Sequence, residues 1–152
     1  MSTIALKKSV LEAAHARLEA NAEKLRERIN DLQAVTIGDD NAESASQTES
    51  THGSDVELMN SLTEQLEHLK QDIDRLADID PSQKLDTVQY GALVHTDKKE
   101  FLIAASIEEF NAGGHRYLGV TPKAPLIQAM LGRKAGDLVN FNNITYKILE
   151  II

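Results

Sequence analysis

The sequence predicts an α+β protein in two parts: an antiparallel coiled-coil helical hairpin over residues 1–80, and a small β-sheet domain with one helix over 81–152. Two observations support this. Leucines recur at heptad spacing through the first half, and after Pro81 the texture changes to short runs rich in β-branched and aromatic residues.

The first arm rests on Leu11, Leu18, Leu25 and Leu32, each seven residues after the last, with His15, Ala22 and Ile29 four residues after the first three. That spacing is the a/d seam of a coiled coil. The second arm carries Met59, Leu62, Leu66, Leu69, Ile73 and Leu76, alternately three and four apart. Ser54-Asp55-Val56-Glu57 has the form of a capping box that would open this helix, and Asp80-Pro81 would close it. At the helical rise, each well-patterned arm reaches roughly 35 Å.

Two seams of similar length joined by a polar stretch fold back most simply as a hairpin within one chain. The competing arrangement pairs the seams between chains, giving a homodimeric adaptor with residues 36–55 as a solvated linker. His15 and Ala22 would weaken such a dimer, so the expected state is a monomer.

The stretch between the arms, TIGDDNAESASQTESTHGSD, holds five carboxylates and no lysine or arginine. It reads as an acidic tip loop over about 36–55. The formal charge of the chain is -8, and it is unevenly spread: +1 over residues 1–34, -5 over 35–55, -5 over 56–80 and +1 over 81–152. No basic stripe dominates, so independent DNA binding is not expected.

In the second part, strands are expected at 88–96, 100–106, 116–121, 138–141 and from 144 onward, about five in all. Turn signals at Thr96-Asp97, Gly113-Gly114, Gly136-Asp137 and Asn142-Asn143 separate them, and one helix is expected from Ala124 to Gly132.

The absence of cysteine excludes disulfides, thiolate zinc sites and thiol nucleophiles. His15, His52, His68, His95 and His115 show no close metal-ligand spacing, and no phosphate loop, nucleophile elbow or dinucleotide fingerprint occurs. A self-contained enzyme is therefore not expected. With no signal-peptide pattern at the amino terminus and no apolar run of about 18 residues, the expected location is cytoplasmic, without membrane contact.

The stretch TPKAPLIQAMLGRKAGDLVNFNNITYKILEII resembles the end of the Gre-type transcript cleavage factors, a family of transcription elongation factors. The matching residues are Pro125-Leu126, Ala129, Leu131-Gly132, Lys134, Gly136-Asp137, Val139, Tyr146, Ile148 and Ile151. The resemblance covers roughly residues 86–152, and the preceding hairpin agrees with the family in order and size. It implies an FKBP-like carboxyl-terminal domain and a bacterial RNA polymerase partner whose secondary channel receives the hairpin, with indirect contact to nascent RNA.

By the same resemblance, Asp39 and Asp40, with Glu43 next, would help hold a magnesium ion shared with the polymerase and assist cleavage of backtracked RNA. The isolated protein would not bind that ion stably. Lys123 and Pro125 are the residues it implies for partner binding.

The chain departs from the family pattern twice. Ala124 stands where the family has serine, and the tip, Gly38-Asp39-Asp40-Asn41-Ala42-Glu43-Ser44, is two residues shorter and lacks a tyrosine. The shorter tip keeps open a regulator that occupies the channel without promoting cleavage. The FKBP-like resemblance leaves prolyl isomerase or chaperone activity as a minor reading, which would require an apolar pocket lined by aromatics.

Overall fold

The structure, a computed structural model, describes the backbone of residues 2–38 and 45–152 and the side chains of residues 2–34 and 55–152. Helix α1 spans Thr3–Gly38 and α2 spans Ala45–Ala77. They are followed by β1 (Leu93–Thr96), β2 (Glu100–Ile103), β3 (Ile107–Ala112), β4 (His115–Val120), α3 (Pro125–Met130), β5 (Leu138–Phe141) and β6 (Ile144–Ile151). The fold is α+β, and the chain forms two compact units: Met1–Leu18 together with Asp72–Ile152, and Glu19–Gln71.

Both long helices extend further than the heptads alone indicate. Most of the loop expected over 36–55 is helical backbone, and Ser54–Glu57 lies inside α2 rather than at its start. Once a helix is nucleated, each added residue gains a backbone hydrogen bond for little further cost, so weak formers such as Ser and Thr are carried along.

In the unit Glu19–Gln71, Ala22, Leu62 and Leu66 are buried, while Leu25, Ile29, Leu32, Met59 and Leu69 are half-buried. The leucine seam is therefore the apolar contact of this unit. Two ion pairs among its described residues, Arg26 with Glu23 and Lys70 with Glu67, each at 3.4 Å, are exposed and contribute little.

In the other unit, α1 buries a wider stripe: Lys7, Val10, Leu11, Ala14 and Leu18, with Ile73 and Leu76 buried on α2. Ala14 is fully buried and His15 only half-buried, so the alanine takes the position the heptad count assigns to the histidine. Spacing of three, one, three and four is that of a helix packed over a broad face rather than a narrow seam.

The sheet has six strands in the order β3-β4-β2-β1-β6-β5. The β2–β4 pair is parallel and the other four pairs are antiparallel. The strand not foreseen is β3. Ile107 and Phe110 are buried while Glu108 and Glu109 face solvent, and the β3–β4 register shifts between Ile107 and Phe110. A bulge of this kind breaks the alternation by which a strand is recognised.

One sheet face packs Val94, Phe101, Ile103, Val139, Tyr146 and Ile148 against Ile127 and Met130 of α3. The other face buries Leu93, Leu102, Ile107, Phe110 and Tyr117. Central strand β6 is fastened to β1 by a reciprocal backbone pair, Leu93 N–H to Ile152 O (3.0 Å) and Ile152 N–H to Leu93 O (2.9 Å).

Candidate functional site

Asp39, Asp40 and Glu43 lie outside the described residues. Lys123 and Pro125 are both exposed, two residues apart where the chain enters α3. Proline suits the first helical position because its missing N–H has no helical partner there. Ala124 precedes it in an extended conformation and supplies no side-chain cap; Gln128 Nε2 instead donates to Pro122 O. Ala124 thus offers no side-chain oxygen to the first N–H groups of the helix.

The other residues of the carboxyl-terminal pattern hold the turns and the core. Gly132 (φ +79°) ends α3 and donates its N–H to Val88 O at 3.0 Å. Gly136 (φ +94°) donates to Ile148 O at 2.7 Å. Both conformations favour glycine. Asp137 Oδ2 accepts the Lys134 N–H at 2.9 Å, closing the turn between them, and Val139, Tyr146 and Ile148 are buried. The pattern is thus a set of folding instructions for the sheet domain.

Sheet register assembles a second group that sequence spacing conceals. Glu150 of β6 stands opposite His95 of β1, His95 opposite Glu100 of β2, and Glu100 opposite Tyr117 of β4. His95 Nε2 lies 2.9 Å from the Tyr117 hydroxyl, and His95 Nδ1 lies 3.7 Å from Glu150 Oε2. His115, at the start of β4, places Nδ1 2.9 Å from Glu100 Oε1 and stacks on His95 with ring centroids 5.5 Å apart.

Burial pushes the His95 imidazole below its ordinary pKa, partly offset by the Glu100 and Glu150 charges and reinforced by His115. Burial, with the same two carboxylates, pushes the Tyr117 phenol up. Both groups are therefore neutral at pH 7. The consistent arrangement has the phenol donating to His95 Nε2, leaving the imidazole proton on Nδ1, the side of Glu150. The only signal available in the sequence was strand register, because His95 and His115 are 20 residues apart.

Beside this row lies a cavity of about 490 Å³ bordered by Lys98, Lys99, Glu100, Glu109, His115 and Arg116. Its charges largely satisfy one another: Arg116 pairs with Glu109 (3.5 Å), and Lys98 with Asp97 (3.3 Å). It is not the apolar, aromatic-lined pocket that prolyl isomerisation would need. Phe101 and Tyr117 are wholly buried, and Phe101 meets Tyr146 edge-on inside the core. Among the described residues, no three His, Asp or Glu side chains are grouped to hold a metal ion, and no helix is long and apolar enough to cross a membrane.

No family model matches the sequence, and no curated protein matches it. Among solved structures, the chain is similar to the crystal structure of GreA factor homolog 1 (Gfh1) of Thermus thermophilus. The identity is 14%, covering 92% of this chain and 95% of that one, with a TM-score of 0.35. A second structure, of the transcription factor Gfh1, matches at 14% identity over 91% and 93% of the two chains, with a TM-score of 0.33. At these values the likeness assigns no residue role.

Proposed function

We propose that this protein is a Gre-type factor that binds RNA polymerase, with its helical pair entering the secondary channel. In this reading Asp39 and Asp40, with Glu43 next, supply carboxylates near the polymerase active centre, and Lys123 and Pro125 belong to the binding surface. The observation that carries the reading is a conjunction within one chain. Helices of 36 and 33 residues bracket an acidic segment, and they precede a domain whose resemblance residues occupy its turns and core.

Carboxylates suit the proposed role because magnesium prefers hard oxygen donors. The ion would supply charge stabilisation for in-line displacement at phosphorus, chemistry that belongs to the polymerase. What this chain contributes is placement of one or two anionic oxygens.

Co-purification with core RNA polymerase tests the reading, and absence of binding at micromolar concentration would overturn it. Replacing Asp39 and Asp40 together by asparagine then tests the tip. Polymerase affinity should stay nearly unchanged, while stimulated cleavage in stalled complexes falls roughly a hundredfold, as expected for losing a few kcal/mol at the transition state. The Glu64→Gln/Glu67→Gln pair controls for bulk charge and should do little. The two-residue shortening of the tip favours a second reading, occupancy of the channel without cleavage. A protein that binds polymerase, does not stimulate cleavage and displaces an active cleavage factor would establish that version.

A further inference from the structure

The cavity of about 490 Å³ beside the histidine row plays no part in the polymerase reading, and sheet topology places it. β2 and β4 run parallel from the pair Glu100 and Tyr117, so the β1–β2 turn at 97–99 and the β3–β4 turn at 113–114 share one end of the sheet. Lys99 and Glu100 border the cavity from the first hairpin, and Glu109, His115 and Arg116 from the second. The Thr96 hydroxyl pins the first turn: Oγ1 accepts the Lys99 N–H at 2.9 Å and donates to Lys99 O at 2.6 Å. At the second turn a Cβ on Gly114 would meet nothing within 4 Å, so the space there is open.

The fixed cations that border this cavity, Lys98, Lys99 and Arg116, are not equally engaged. Lys98 Nζ already donates to Thr145 O and to Asp97. Arg116 approaches Glu109 through Nη1 at 3.5 Å, and its side chain is 70% exposed, which leaves most of its N–H donors open. Lys99 is exposed, and among the described residues no carboxylate pairs with it. Glu100 meets His115 through Oε1 and Glu109 meets Arg116 through Oε2, so each carboxylate keeps a second oxygen to accept from a hydroxyl. Tyr117 is wholly buried and offers no face on which a nucleobase could stack.

We propose that this cavity binds a sugar phosphate, with the phosphate on Lys99 and Arg116 and the sugar hydroxyls on Glu100 and Glu109. A phosphate monoester carries about two negative charges at neutral pH and presents strong acceptor oxygens, which suits an unpaired ammonium together with an open guanidinium. The volume lies within the range of about 300–1,000 Å³ usual for small-molecule sites. A polycarboxylate would set its own charges against Glu100 and Glu109. The chain's net charge of -8 repels anions at long range, so retention has to come from these contacts and should weaken with salt.

The test titrates the full chain by calorimetry with glucose 6-phosphate, glucose, inorganic phosphate and adenosine monophosphate, at neutral pH and constant ionic strength. Expected is saturable binding of one glucose 6-phosphate per chain, roughly tenfold or more tighter than each of the other three. Lys99→Gln should lower that affinity roughly tenfold or more, and Glu109→Gln should narrow the preference over inorganic phosphate. Both positions are exposed, and circular dichroism checks that the variants keep the fold. Lys84→Gln, exposed and outside the cavity lining, should bind as the parent does. The proposal is overturned by absence of saturable binding, by equal or tighter binding of glucose, phosphate or the nucleotide, or by unchanged affinity in Lys99→Gln. An equal loss in Lys84→Gln would also overturn it, since attraction by bulk charge would then account for the binding.

Discussion

Replacing Gly119 by alanine should destabilise the sheet domain through one unavoidable clash. A Cβ built at this position in β4 would lie 2.6 Å from Ile107 Cβ, 2.7 Å from the Ala105 carbonyl oxygen and 2.8 Å from Ile107 Cγ1. Ordinary carbon contacts are about 3.5–4.0 Å, so relief requires β3 and the loop before it to withdraw by about 1 Å. Neither obstacle is the free end of a flexible side chain. One is backbone and the other is attached directly to it.

Overpacking of this kind costs about 1–3 kcal/mol. The reduced freedom of alanine in the unfolded chain offsets about 0.4–1 kcal/mol of that. The expected net loss is therefore about 1–2 kcal/mol, lowering Tm by about 3–6 °C for a chain of this length. Thermal and urea unfolding followed by circular dichroism measure it. A Gly119→Ala protein as stable as its parent would show that β3 packs less closely on β4 than the bulged register requires.

Three further outcomes follow from the sheet domain. Met130→Ala removes a fully buried side chain and should cost about 2–5 kcal/mol in urea unfolding, the range set by how far α3 can collapse. His95 has a folded-state pKa below its ordinary 6.5, so the unfolded state takes up its proton first on acidification. Its contribution is complete above about pH 6.5 and is lost as pH falls from there toward the folded value, at up to about 1.4 kcal/mol per pH unit. Tm measured from pH 8 downward should show this slope, and His95→Gln should flatten it. Tyr117→Phe removes the hydroxyl 2.9 Å from His95 Nε2 and should cost about 1–3 kcal/mol, readable in the same urea assay.

The helical half was legible because a heptad repeat states which residues are buried without knowledge of what lies beyond the partner helix. Leu18, Leu62, Leu66, Ile73 and Leu76 are buried as the spacing requires. That reasoning weakened where α1 buries a wider face: His15 yields its place to Ala14, and Lys7 is buried against every expectation for its type. The ends of the long helices were misplaced because composition weighs Ser, Thr and Gly one residue at a time, whereas helix propagation is collective.

In the sheet, turn residues such as Gly132 and Gly136 could be placed because only a few residues tolerate their backbone angles. Edge strand β3 could not, since its bulge erases the period of two. The His95–Tyr117–His115 group was hidden for a different reason. It is created by β1–β2 and β2–β4 register, and a parallel pairing across an intervening strand leaves no local trace in the sequence.

The reciprocal bonds between Leu93 and Ile152 also impose an order on biosynthesis. Residue 93 lies on β1 and residue 152 directly follows β6, so the sheet cannot close until the chain through residue 152 has left the ribosome. The helices, whose contacts join residues made earlier, can pair first, and domains completed early in synthesis generally fold early. During that interval β1, paired with β2 on one side only, waits for β6 and presents a transient edge open to pairing with another chain. Slow translation of residues 144–152 would lengthen this exposure, whereas a chaperone covering β1 would protect the edge while it lasts.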